Sequence, residues 1–173
     1  MKTISLLLYF FCIINSVLSS ENYYQIKKCP VNTTKAIINT ANAINKIPCL
    51  DFSFRYSPYA ENLIICQNMN GTTLGQVEQI QGKDNFLMIL NEFKNYTLMY
   101  NVILHEFGHV IGLQHTCDKN SVMRPFSSSK QTLLFQPQDL VNMYVLHRRK
   151  DNFCDMYVDN YIKNQFLFTN IIQ

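Results

Sequence analysis

Glycine and proline are scarce in this sequence, five of each in 173 residues, and tryptophan is missing. So small a supply of turn formers and breakers excludes a collagen-like or Gly/Pro-rich low-complexity chain. Charge is low too, at 16% of residues with a formal net of +3 and no block of one sign. Lys and Arg are scattered, with one tight cluster at Arg148, Arg149 and Lys150, so the footprint of a nucleic-acid binder is lacking. Internal repeats and linker-like stretches are also absent, and after residue 14 no apolar run is long enough to span a bilayer. What remains is a chain with 47% hydrophobic residues, large enough to bury one core and short for two.

The N-terminus reads Met1 and Lys2, then an apolar run from Leu6 to Ile14, then small residues at Ser16, Ser19 and Ser20. That order predicts a secretory signal peptide over 1–20, a domain over 21–154 and a tail over 155–173. The mature protein is thereby expected outside the cell, with no stable membrane insertion once the signal is cleaved. Five cysteines follow the leader: Cys29, Cys49, Cys66, Cys117 and Cys154. In an oxidising compartment they predict two disulfides and one thiol left over, with the pairing open at this stage. Sequons at Asn32, Asn70 and Asn95 fit a secreted glycoprotein.

Along the domain, a first strand is predicted over 23–28, ending at Cys29 and Pro30. Ile37, Ala41, Ile44 and Ile47 recur at helical spacing behind Thr33 and Thr34 and ahead of Pro48, which predicts a threonine-capped amphipathic helix. Leu50, Phe52, Phe54 and Tyr56 alternate with polar residues, the period of a half-buried strand. Further strands over 63–66, 74–79 and 86–90 are separated by turn formers, among them Asn70, Gly71, Gly82, Asp84 and Asn85. A second helix covers about 97–111 and stops at Gly112. A third follows Pro137 with Leu140, Met143, Tyr144 and His147 on one face. Strand, helix, several strands and then two helices make an α+β fold.

The densest chemistry lies between His105 and His115. Residues four apart on a helix stack, so His105 and His109 offer two imidazoles to one point. Catalytic zinc takes three protein ligands and keeps one position open. Gly112, lacking a Cβ, turns the chain sharply at the helix end and brings His115 back as the third ligand. Glu106 lies beside the metal without being needed as a ligand. From there its carboxylate takes a proton from the metal-activated water and passes it to the leaving amine. Two histidines at this spacing could equally be ordinary surface or core residues, and a closed structural site would need a fourth ligand, for which Cys117 is nearby. The third histidine, the intervening glutamate and the glycine select the hydrolytic reading.

The stretch from His105 to His115 resembles in full the long zinc signature of the metzincin peptidases. Their fold implies a zincin-like mixed twisted sheet with an active-site helix and a C-terminal helix, and one catalytic zinc ion. Metzincins carry a methionine in a tight turn beneath the metal, a place that Met123 in Ser121-Val122-Met123-Arg124-Pro125 would take. The short interval from His115 to Met123, and the approach over 98–104, resemble the matrixins, the matrix-metalloproteinase-like branch. That resemblance implies that Pro125 and Phe126 wall the primary specificity pocket, and that an extended substrate lies along the 86–90 strand. Cys49 before its strand and Cys154 after the last helix resemble a bridged pair of the astacins, which implies a Cys49–Cys154 disulfide. Against astacin membership, Thr116 follows His115 and Arg124-Pro125 follow Met123. The chain therefore resembles a divergent matrixin. It lacks a cysteine-switch segment, leaves almost no room for a pro-segment, and shows no pattern for a second zinc or calcium layer.

Two functions compete on this basis. One is a secreted, monomeric zinc metalloendopeptidase acting on protein or peptide. The other is a non-catalytic secreted protein that keeps zinc and the metzincin fold as a binding scaffold. Glu106 separates them, because a scaffold has no use for the base and this chain retains it with all three histidines.

Overall fold

β1 (Ser20–Lys27) opens the fold in a computed structural model that describes residues 20–69, 71–80, 85–125 and 129–171, residues 20 and 165–171 by backbone only. The leader up to residue 19, the Asn70 sequon, the turn formers Gly82 and Asp84, and Phe126 lie outside the described residues. β1 starts earlier than its predicted strand because Ser20, Glu21 and Asn22 pair in parallel with Phe52, Ser53 and Phe54 of β2 (Phe52–Tyr56). β3 (Asn62–Cys66), β4 (Gly75–Gln79) and β5 (Phe86–Leu90) complete one sheet in the order β2-β1-β3-β5-β4. Only β4 runs antiparallel, to its neighbour β5. This is an α+β fold with a mixed five-stranded sheet.

That order corrects one expectation. β5 is hydrogen-bonded on both sides, to β3 and β4, so an extended ligand has no edge there to pair with. The edge on that side of the sheet is β4. The burial of alternate β5 residues Phe86, Met88 and Leu90 reflects an interior strand, whereas no β4 residue is fully buried.

α1 (Val31–Ile44) begins straight after Pro30, whose φ of −56° is already near helical, so Thr33 and Thr34 lie inside the first turn and do not cap it. Thr33 is buried instead, its hydroxyl directed at Met99 Sδ of α2 (Tyr96–Ile111). Ile37, Ala41 and Ile44 of α1 and Ile103 and Phe107 of α2 join Tyr24, Phe54, Ile64 and Met88 of the sheet in one core. Each such large side chain contributes roughly 1.5–3 kcal/mol by leaving water. Edge-on contacts of the Tyr24 ring with Phe54 and Phe107, at 6.4 and 6.2 Å, tie sheet to helix.

α3 (Pro137–His147) and α4 (Asn152–Ile171) follow. The segment after 154, which matched no known pattern in the sequence, continues α4. Cys154, Val158 and Ile162 recur every four residues on the face that meets Tyr144 and Cys49. Disulfides join Cys29 to Cys66 and Cys49 to Cys154, and Cys117 is an exposed free thiol. Among the described residues no helix is long and apolar enough to cross a membrane.

Candidate active site

Asn95 starts α2 by accepting a hydrogen bond from Leu98 N–H at 2.8 Å. After sixteen helical residues the helix ends at Gly112, whose φ of +99° only glycine adopts without strain. Gly112 N–H donates to the His109 carbonyl and Leu113 N–H to that of Gly108, both at 2.9 Å, the bond pair of a Schellman turn. The turn does two things: it sends the chain back toward the helix with His115, and it presents the Leu113 carbonyl to His109.

Three imidazoles converge as a result. Their Nε2 atoms lie 3.0 Å (His105–His109), 3.2 Å (His109–His115) and 3.3 Å (His105–His115) apart. His105 Nδ1 is 2.7 Å from the Val122 carbonyl and His109 Nδ1 is 2.9 Å from that of Leu113. A carbonyl only accepts, so each Nδ1 carries the proton and donates it, which leaves the Nε2 lone pairs of His105 and His109 facing one another. Facing lone pairs repel and do not hydrogen-bond; they need a cation between them. Three nitrogens bound at the usual zinc–nitrogen length in a tetrahedron would be about 3.3 Å apart, so the donor set fits zinc. Hydrogen-bonded Nδ1 atoms of this kind fix tautomer and ring orientation in metal-binding histidines.

Electrostatics point the same way. Burial holds His105 down to about 4 against the opposing Val122 hydrogen bond, and lowers His109 as well, so both imidazoles stay neutral and available to a metal. Exposure grades from buried His105 through His109 to exposed His115. Glu106 is 5% exposed, and burial raises its carboxyl to about 7. Among the described residues no hydrogen bond holds that carboxylate.

Met123 is fully buried against α2. A Cβ on Gly108 would collide with its sulfur, so glycine at this helix position is what lets the methionine lie against α2. Sequence reading missed the residues that hold this turn. Ser121 Oγ accepts from Met123 N–H at 2.8 Å and donates to buried Asp139 Oδ2 at 2.6 Å, which also accepts from Gln136 N–H at the start of α3. Thr116 N–H donates to the Met123 carbonyl at 3.0 Å, tying the His115 limb to the same turn. An acid two residues after Pro137, in the first turn of a helix, was the available signal for Asp139.

The histidines and Glu106 form one wall of a cleft of about 730 Å³, and β4 with Leu74 forms the other. Exposed Pro125 stands at its end.

Residues 31–147, from the start of α1 to the end of α3, match the family model described as Matrixin. The chain belongs to the matrixin family. It is also similar to stromelysin-3 of Rattus norvegicus and of Mus musculus, 40% identical to each over 53 residues. That stretch covers 31% of this chain and 11% of either stromelysin-3. Matrixins are zinc metallopeptidases, and the three-histidine group of this chain could hold a metal. β1 and α4 lie outside the matrixin match.

Proposed function

We propose that this matrixin is a secreted zinc endopeptidase in which His105, His109 and His115 hold one catalytic zinc and Glu106 is the general base. The observation that carries this reading is the facing Nε2 triangle opening, beside a buried carboxylate with no hydrogen bond to a described residue, into a cleft bordered by a strand edge. Zinc in that triangle would polarise the scissile carbonyl and acidify the attacking water. Glu106 takes the proton of that water and delivers it to the leaving amine; a carboxyl raised to about 7 by burial is suited to both transfers near neutral pH. The substrate adds to β4 as an extended strand, its backbone pairing with that edge. Pro125, at the end of the cleft, borders the side chain on the primed side of the cut bond.

Two disulfides fit an oxidising compartment, and secretion follows from the leader at 1–20. Asn32 and Asn95 are exposed, and Asn95 uses only Oδ1 for its cap, so glycans on their Nδ2 atoms are compatible with the fold.

Cleavage-site profiling on a denatured proteome, with and without a zinc chelator, tests the activity and its primed-side preference together. Glu106→Ala should abolish hydrolysis with zinc still bound, and His109→Ala should lose both. Equal activity of wild type and Glu106→Ala would sink the mechanism.

A further inference from the structure

Gly75 opens β4 directly opposite the active-site helix. Its φ is not among the positive values, which belong to Gly71 and Gly112, so backbone freedom does not explain a glycine here. Space does. A Cβ at this position would lie 2.6 Å from Glu106 Oε1, 2.8 Å from Glu106 Cγ and 2.7 Å from Val102 Cγ1. All three distances are below any ordinary contact. Glycine inside a strand weakens it and often marks a place where something approaches the backbone closely.

We propose that Gly75 is a positioning residue for Glu106: the missing side chain lets the edge strand close onto Glu106 and fixes where its carboxylate points. The proposal rests on the reading of Glu106 as the base. Because no hydrogen bond to a described residue holds that carboxylate, its orientation is set by packing, between Val102 one turn back on α2 and the Gly75 backbone. The strand that touches the base is also the strand on which the substrate is read to lie. One backbone segment therefore sets the spacing between base and bound peptide. The signal was present in the sequence as a lone glycine in an otherwise strand-like stretch, Leu74 to Gln79.

The test compares wild type, Gly75→Ala, Glu106→Asp and the double variant for kcat, KM and bound zinc on one peptide substrate. Gly75→Ala should lower kcat by about tenfold or more through misplacement of the base, with KM and zinc stoichiometry unchanged. In that background Glu106→Asp should cost much less than in wild type, because the base is already displaced. A second cycle reads the contact without activity. In chelator-treated protein, Gly75→Ala should lower Tm, and the drop should shrink when Glu106→Ala removes Oε1 and Cγ. Should Gly75→Ala fail to fold, recovery of folding in Gly75→Ala/Glu106→Ala supports the contact and continued failure overturns it. Wild-type kcat in Gly75→Ala, or an equal Tm drop in both backgrounds, overturns the proposal. A wild type that cleaves nothing overturns the enzyme reading, and the melting cycle alone then decides Gly75.

Discussion

At the scale of single residues, Glu106 is costly to the fold whatever it does for chemistry. The residue is 5% exposed, its carboxyl has no hydrogen bond to a described residue, and burial raises that carboxyl to about 7 from the ordinary 4.5. The unfolded chain ionises the same group freely, so folding disfavours the charge. The stability associated with the neutral form is full below about pH 4.5 and is lost as pH rises through about 7. His105 and His109, held below the ordinary histidine value, act in the opposite sense over the same window, so the Glu106 contribution is read as a difference: chelator-treated wild type should lose stability relative to Glu106→Gln as pH rises through it, by roughly 3 kcal/mol. The margin by which Glu106→Gln outmelts wild type should grow from pH 4.5 to pH 8; parallel pH profiles of Tm for the two would refute this account. Glu106 was legible in the sequence because chemistry demands a carboxylate at that place in the helix. The roles of Gly75, Ser121 and Asp139 were not: a lone strand glycine and an acid in the first turn of α3 were visible, but the partners that give them their roles are far away in the chain.

At the scale of elements, the end of α2 matters most. Its single left-handed residue, Gly112, serves two of the three histidines at once: it directs His115 back and, through Leu113, orients His109. Gly112→Ala forces a side chain into φ +99°, at a cost of about 1–2 kcal/mol, and presses on Leu146 as well. The larger effect should be on the metal. Displacing the outer partner of one ligand and the backbone of another should weaken zinc binding by about 10–100-fold. A competitive zinc titration beside a thermal melt checks this, and wild-type affinity in a folded variant would contradict it. The helix and its stop were readable from periodicity and one glycine. Strand order was not: 86–90 and 74–79 both read as strands, but nothing in their alternation says which is interior. Only the antiparallel return of β5 between β3 and β4 makes β4 the edge.

For the whole molecule, the two disulfides divide the work unequally. Cys29–Cys66 spans 37 residues within the sheet half, whereas Cys49–Cys154 spans 105 and fastens α4 to the start of β2 through a small cluster with Tyr144 and Val158. That cluster is distinct from the main core, meeting it only at partly buried Ile47, Leu50 and Leu140 among the described residues, and the His105, His109 and His115 triangle belongs to elements packed on the main core. Loop-closure entropy favours the longer bridge by about 1 kcal/mol, on top of the roughly 2–4 kcal/mol typical of either. Removing it also frees the surface that holds α4. Cys49→Ser/Cys154→Ser should therefore lose more stability to urea than Cys29→Ser/Cys66→Ser, and should lose amide protection in α4 first. Zinc affinity of the folded population should stay close to wild type, since no ligand or ligand partner depends on that bridge. Equal destabilisation by the two pairs, or loss of zinc together with the 49–154 bridge, would mean that α4 and the metal site form one cooperative unit, contrary to the two-cluster packing.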